Sequence, residues 1–180
     1  MLFDTHAHMD DRAFDEDRAE LLAALPQQGI GLVMNAGCSL ESSRDIVNMT
    51  AKYPWLYGSV GSHPDSADEV NEEVIEEYRK LCQNEKIKAI GEIGLDFHYN
   101  HSDQDVQREC FRKQIRLANE LKMPIVIHSR EADQKTLDIL KEEGAFSDER
   151  CSWFPKRKGP NGQMVKDARV LLHCFSGSRE

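Results

Sequence analysis

The strongest constraint on the fold of this chain is a rhythm. Short apolar runs rich in β-branched residues recur at Leu2–Thr5, Gly31–Asn35, Leu56–Val60, Lys88–Ile93, Pro124–His128 and Arg169–His173, and longer amphipathic stretches lie between them. Several of these stretches have legible helical ends. Ser66 and Glu69 have the spacing of a capping box, and Val70, Val74, Ile75, Tyr78 and Leu81 follow at helical intervals. Val106, Cys110, Phe111, Ile115, Ala118 and Leu121 share one face of the next stretch, and the one after runs to Lys141 and stops at Gly144, a residue suited to a C-cap. Six alternations of this kind imply a parallel sheet. Continuous apolar strands such as Ile125-Val126-Ile127 are what a sheet covered on both faces requires.

Two architectures satisfy that pattern, an open doubly wound sheet and a (β/α)8 barrel. The first strand-to-helix turn, Thr5-His6-Ala7-His8-Met9-Asp10, has no glycine-rich phosphate loop, which removes the main support for a dinucleotide-binding fold. A barrel takes roughly 250 residues for eight units. Six units in 180 residues would therefore leave two missing on length alone. The expectation is a single domain over residues 1–180, an α/β barrel of the TIM type with about six of its eight βα units. One stretch breaks the rhythm. Residues 146–166, with two prolines, two glycines and the run Lys156-Arg157-Lys158, show no periodicity and read as an extended, solvated loop inserted before the sixth strand.

Composition narrows the function. Lys and Arg number 23 against 32 Asp and Glu, a net charge of −9. Such a chain cannot coat a nucleic acid by general attraction, because that needs clustered cations. It can still act on phosphodiesters if metal ions and a few basic side chains supply positive charge locally. No apolar run approaches the ~20 residues of a membrane span, and the N-terminus lacks the basic and apolar regions of a signal peptide. The five cysteines (Cys38, Cys82, Cys110, Cys151 and Cys174) are odd in number and scattered, which argues against a disulfide framework. A cytoplasmic setting is expected, with no membrane association and no obligate protein partner.

The chemistry-bearing residues cluster by position. His6 and His8 follow strand one, Glu92 lies near the end of strand four, and His128 and His173 end strands five and six. All five fall at the carboxyl ends of strands, where barrel enzymes build their sites. Residues i and i+2 on a strand face the same side, so His6 and His8 can address one point. Imidazole plus carboxylate suits Zn²⁺, Mn²⁺ or Fe²⁺, and Mg²⁺ where carboxylate and water dominate. Each residue alone has an ordinary structural explanation. A buried Glu92 can pair with a cation, and a core histidine is commonly just hydrogen-bonded. His98 and His101 read as residues of a solvated loop, with contact at the rim of a substrate site as the alternative. Cys174 should alternate away from His173 and is left out of any metal site.

The segments Asp4-Thr5-His6-Ala7-His8, Val60-Gly61-Ser62-His63-Pro64, Gly91-Glu92-Ile93-Gly94-Leu95-Asp96, Ile127-His128-Ser129-Arg130 and His173-Cys174-Phe175-Ser176-Gly177 resemble, in order and spacing, those of the TatD family of metal-dependent deoxyribonucleases, within the amidohydrolase superfamily. The resemblance implies two divalent metal ions (Mg, Mn or Zn). His6, His8 and Glu92 would face the first, and Glu92, the catalytic bridge, would share a second held by His128 and His173. His63 and Arg130 would contact the phosphate of a DNA substrate, single-stranded or at strand ends, and the reaction would be phosphodiester hydrolysis. Two other outcomes stand beside it, a non-catalytic metal-binding fragment and an amidohydrolase reaction on amides or lactones. The family carries a further metal-binding aspartate on a later strand, in a Gly-Thr-Asp-like motif absent from these 180 residues. The resemblance thus implies an unclosed barrel and a weakened first metal site.

Overall fold

The computed structural model describes residues 1–176, so Gly177 of the last motif lies outside the described residues. In chain order the elements are β1 (Leu2–Ala7), α1 (Arg18–Ala24), β2 (Ile30–Asn35), α2 (Leu40–Thr50), β3 (Leu56–Val60), α3 (Glu72–Leu81), β4 (Ile87–Asp96), α4 (Gln104–Glu120), β5 (Ile125–Arg130), α5 (Asp133–Glu142), α6 (Asp148–Ser152), β6 (Arg157–Lys158), β7 (Met164–Val165) and β8 (Val170–Leu172). Six strands form one sheet in the order β1-β2-β3-β4-β5-β8, every neighbouring pair parallel. The sheet curls into a half-barrel, the second of the two architectures that the rhythm allows and the one expected here. Its outer strands, β1 and β8, leave Leu2, Phe3, Leu171 and Leu172 exposed.

The main core lies between sheet and helices. Ile90, Ile93 and Leu95 of β4 and Ile125 and Ile127 of β5 pack against Phe111, Ile115 and Ala118 of α4 and Ile139 and Leu140 of α5. Phe111 and Ile115, two of the residues expected to share a face, are fully buried. Each such side chain contributes about 1.5–3 kcal/mol by leaving water. No helix among the described residues is long and apolar enough to cross a membrane.

Two local expectations are corrected. The helix expected to start at Ser66 begins at Glu72, because Asn71 Oδ1 accepts the Val74 N–H at 3.0 Å and takes the cap. Pro64–Glu69 forms a separate 3-10 turn with Ser66 off helical geometry, so Ser66 and Glu69 make no capping box. The inserted segment is not an extended loop throughout. It carries α6, capped by Ser147, and an antiparallel hairpin of β6 and β7, and the basic run Lys156-Arg157-Lys158 is exposed.

What secures that segment is a buried arginine. Arg150 is fully buried and donates to the Ala168 carbonyl (2.9 Å), to Asn119 Oδ1 (2.6 Å) and to the Met123 carbonyl (2.7 Å), tying α6 to the end of α4 and to the chain entering β5 and β8. Burial pulls its guanidinium down to about 10, still charged at neutral pH. Lysine has no planar fork to serve three diverging acceptors. Arg150→Lys should therefore cost about 3 kcal/mol, because buried acceptors lose charged partners. Urea denaturation checks this, and a loss below ~1 kcal/mol would show that water replaces the missing donors.

Candidate metal centre

The carboxyl ends of the strands converge on Glu92. It lies inside β4 rather than at its end, and the strand runs on to Asp96. The β4–β5 register shifts between Ile90 and Ile93, and the Glu92 N–H leaves the ladder to donate to the Gly37 carbonyl at 2.8 Å. Glu92 itself lies between two glycines with positive φ, Gly91 (+143°) and Gly94 (+149°). A Cβ on Gly91 would stand 2.5 Å from the Val126 carbonyl oxygen, and one on Gly94 would overlap that of His128. The glycines of the Gly91-Glu92-Ile93-Gly94 motif thus let β4 approach β5 closely enough for Glu92 to meet His128.

Around the 4% exposed Glu92, two groups of nitrogen and oxygen donors form. In the first, His6 Nε2 lies 3.1 Å from His8 Nε2 and 3.2 Å from Glu92 Oε2, and His8 Nε2 lies 3.6 Å from the same oxygen. In the second, His128 Nδ1 lies 3.0 Å from Glu92 Oε1, and His63 stands edge-on to His128 with ring centroids 4.3 Å apart. Bonds of ~2.0–2.2 Å from a metal to N and O donors place those donors about 3.0–3.6 Å apart. The first triangle has that size, so the residues fit a divalent ion.

Hydrogen bonds decide which ring nitrogens are available. His8 Nδ1 lies 3.2 Å from the Ala36 carbonyl, which can only accept, so the proton sits on Nδ1 and the Nε2 lone pair faces Glu92. His128 Nε2 lies 3.0 Å from Asp96 Oδ2, a carboxylate–histidine pair of the kind that orients metal ligands. His63 is arranged the other way. Its Nδ1 accepts the Asp65 N–H at 3.2 Å, which puts the proton of the neutral ring on Nε2 and makes that nitrogen a donor. Burial, and then His128, lower the His63 pKa and favour the neutral form.

Charge is balanced within the cluster. Burial alone would raise the Glu92 carboxyl, but hydrogen bonds from His128 and His6 outweigh it and hold Glu92 below the usual carboxylate range. Burial likewise disfavours a charged His128, yet Glu92 and Asp96 together raise its pKa. Cys38 Sγ lies 3.5 Å from His8 Nδ1 and belongs to neither donor group, and burial, reinforced by Glu92, pushes its thiol well above the ordinary range.

The five expected ligands meet in one place, but not all as expected. His173 is in neither donor group. β8 ends at Leu172, the chain turns through Cys174 at φ 46°, and the His173 ring stacks on His6 with centroids 3.5 Å apart and planes 14° from parallel. Cys174 is exposed in that turn, not alternating along a strand. Arg130 ends β5, exposed, with its guanidinium 4.6 Å from the Tyr99 ring centre. Asp96 carries no role in the sequence reading although it ends the motif Gly91-Glu92-Ile93-Gly94-Leu95-Asp96. The available signal was a second acidic residue in the apolar stretch from Ala89 to Asp96, at its end, and it is 1% exposed.

The sequence model of the TatD related DNase family matches residues 3–180. The chain belongs to the TatD family. It is 35% identical over 180 residues to an uncharacterized metal-dependent hydrolase, YabD, of Bacillus subtilis, covering 100% of this chain and 63% of that protein. It is 30% identical over 179 residues to the 3'-5' ssDNA/RNA exonuclease TatD of Erwinia tasmaniensis, covering 99% of this chain and 61% of the relative. The chain therefore spans about three fifths of the length of the curated relatives it matches. Among solved structures, a TatD homolog from Escherichia coli K12, YJJV, superposes with a TM-score of 0.72 at 26% identity, covering 79% of this chain and 56% of the other. An uncharacterized amidohydrolase from Saccharomyces cerevisiae gives 0.74 at 22% identity, covering 98% of this chain and 62% of that one, and shows the fold alone.

Proposed function

We propose that the whole protein is a divalent-metal-dependent nuclease that hydrolyses phosphodiester bonds of single-stranded nucleic acid, and that this chain carries the greater part of its site. The observation that carries the reading is Glu92, whose two oxygens face different donor groups, Oε2 towards His6 and His8 and Oε1 towards His128. We assign one ion to His6, His8 and Glu92 and a second to Glu92, His128 and His173, with Zn or Mn suited to the imidazole nitrogens and Mg to a site richer in carboxylate and water. When bound, such a pair supplies Lewis acidity that makes water a competent nucleophile at neutral pH and offsets charge on the phosphoryl oxygens. The chain's own residues do the rest. Glu92 stays ionised and bridges the two donor groups, while Asp96 fixes the His128 tautomer. His63 Nε2–H donates to a phosphate oxygen, and Arg130 offers a fork for two more. The Erwinia relative is a 3'-5' ssDNA/RNA exonuclease, which supports the substrate class.

The direct test is release of nucleotides from single-stranded DNA and RNA by the whole protein with Mn²⁺, Mg²⁺ or Zn²⁺. Release should require the ion and stop with chelator, and undiminished release in chelator would overturn the proposal. Ion titrations separate the roles of two histidines. His173→Ala should weaken the second ion about ten-fold or more, whereas His63→Ala should leave both ions bound and raise KM. The reverse pattern would make His63, which already stands in that donor group, the ligand.

A further inference from the structure

The loop after β4 builds a surface that the metal centre does not use. Asp96 Oδ1 accepts the N–H groups of His98 (3.0 Å) and Tyr99 (2.9 Å), Asn100 adopts φ 49° with its side chain donating to the Phe97 carbonyl, and Gln107 secures the Asp96 and Ser102 carbonyls from α4. On this fixed turn Tyr99 is 52% exposed, although an aromatic ring of its size is a large apolar surface to leave in water. Two neighbours pack on it: the Arg130 guanidinium lies over the ring, 4.6 Å from its centre, and the His101 ring lies 5.5 Å away, 22° from parallel.

The ledge adjoins the metal centre through two carboxylates. Asp65 Oδ2 lies 3.3 Å from His101 Nδ1 and 3.5 Å from His63 Nδ1. Asp96, which holds the Tyr99 N–H, also holds His128. His98 Nδ1 lies 2.7 Å from Glu131 Oε1 and His101 Nδ1 3.3 Å from Asp65 Oδ2, so these ring nitrogens are engaged within the protein. With a net charge of −9 the chain gains little from counterion release on binding a strand. Beyond the phosphate contacts assigned to His63 and Arg130, stacking of bases on exposed aromatic rings is a source of single-strand affinity that needs no bulk charge.

We propose that Tyr99, flanked by His101 and Arg130, is a stacking platform for one unpaired nucleobase of the substrate strand, setting the neighbouring phosphodiester against His63 and the metal centre. The proposal rests on the nuclease reading and adds the subsite that selects single strands, because a base held within a duplex cannot offer its face to the ring. Stacking of this kind tolerates any base, and the subsite should show little sequence preference.

The test is binding in chelator, where no cleavage occurs, between the 180-residue chain and short fluorescein-labelled deoxyoligonucleotides carrying one abasic nucleotide at each position in turn. Loss of a single base at one position should weaken binding about ten-fold or more. Tyr99→Ala should weaken binding of the intact strand by a similar factor and flatten the positional profile, and Tyr99→Phe should keep both. A Tyr99→Ala variant that keeps the profile overturns the platform, as does a flat profile or absence of binding in the unsubstituted chain. Cleavage of the same strands by the whole protein with Mn²⁺ is scored separately. Cleavage with a flat profile removes the platform and leaves the nuclease reading standing. A Tyr99-dependent profile without cleavage does the opposite.

Discussion

On the proposed two-ion nuclease reading, Glu92→Gln is expected to weaken both metal sites at once, each by more than about 100-fold, and to lower ion-dependent hydrolysis by the whole protein at least ~10³-fold. The reason is geometric. One carboxylate faces both donor groups, and an amide offers a single acceptor and turns its NH₂ towards a ring nitrogen that should face a cation. Substitutions on either side should be selective by contrast, His6→Ala removing one ion and His128→Ala the other. Isothermal titration with Mn²⁺, alongside circular dichroism to show that the metal-free chain is still folded, measures this. Retention of one full-affinity ion in Glu92→Gln would show that the two groups do not share the carboxylate.

Gly94→Ala is expected to be the most damaging small substitution in the sheet, costing about 3–5 kcal/mol. The added Cβ would overlap the His128 carbonyl oxygen, and the backbone φ of +149° is one that L side chains rarely adopt. Relief requires β4 to move off β5, which separates Glu92 from His128, so ion binding should fall together with stability. Gly29→Ala is the matched control. Gly29 also has a positive φ (+88°), but nothing lies within 4 Å of an added Cβ, and the conformational penalty alone is about 1–2 kcal/mol. Equal losses for the two variants in urea denaturation would mean that the β4–β5 contact relaxes freely.

The alternation of strands and helices was legible because its causes are local. Parallel strands covered on both faces need unbroken apolar runs, and helices packed on one side need a 3.6-residue stripe, so Ile125-Val126-Ile127 and the Phe111–Ile115 face announce themselves within a few residues. The misread helix start was a competition between two local signals. Ser66 with Glu69 and Asn71 ahead of Val74 both resemble caps, and only the folded chain shows that Asn71 binds the Val74 N–H. Convergence of His6, His8, Glu92, His128 and His173 was also foreseeable. Chain direction in a parallel sheet brings every strand's carboxyl end to one side, whatever the detailed register.

What the tertiary structure alone decided is which atom faces which. The Glu92–His128 contact joins residues 36 apart in sequence and depends on an irregular β4–β5 register that no periodicity encodes. The availability of each ring nitrogen depends on a distant acceptor or donor: the Ala36 carbonyl for His8, Asp96 for His128 and the Asp65 N–H for His63. His173 stacks on His6 because the chain turns at Cys174, and Tyr99 stays exposed because Asp96 ties down its loop from beneath. Residue types and their order therefore determined the fold class and the convergence of these side chains on one side of the sheet. Ligand geometry arose only where strands distant in sequence came into register, because hydrogen bonds a few ångströms long are sensitive to shifts that hydrophobic patterning does not register.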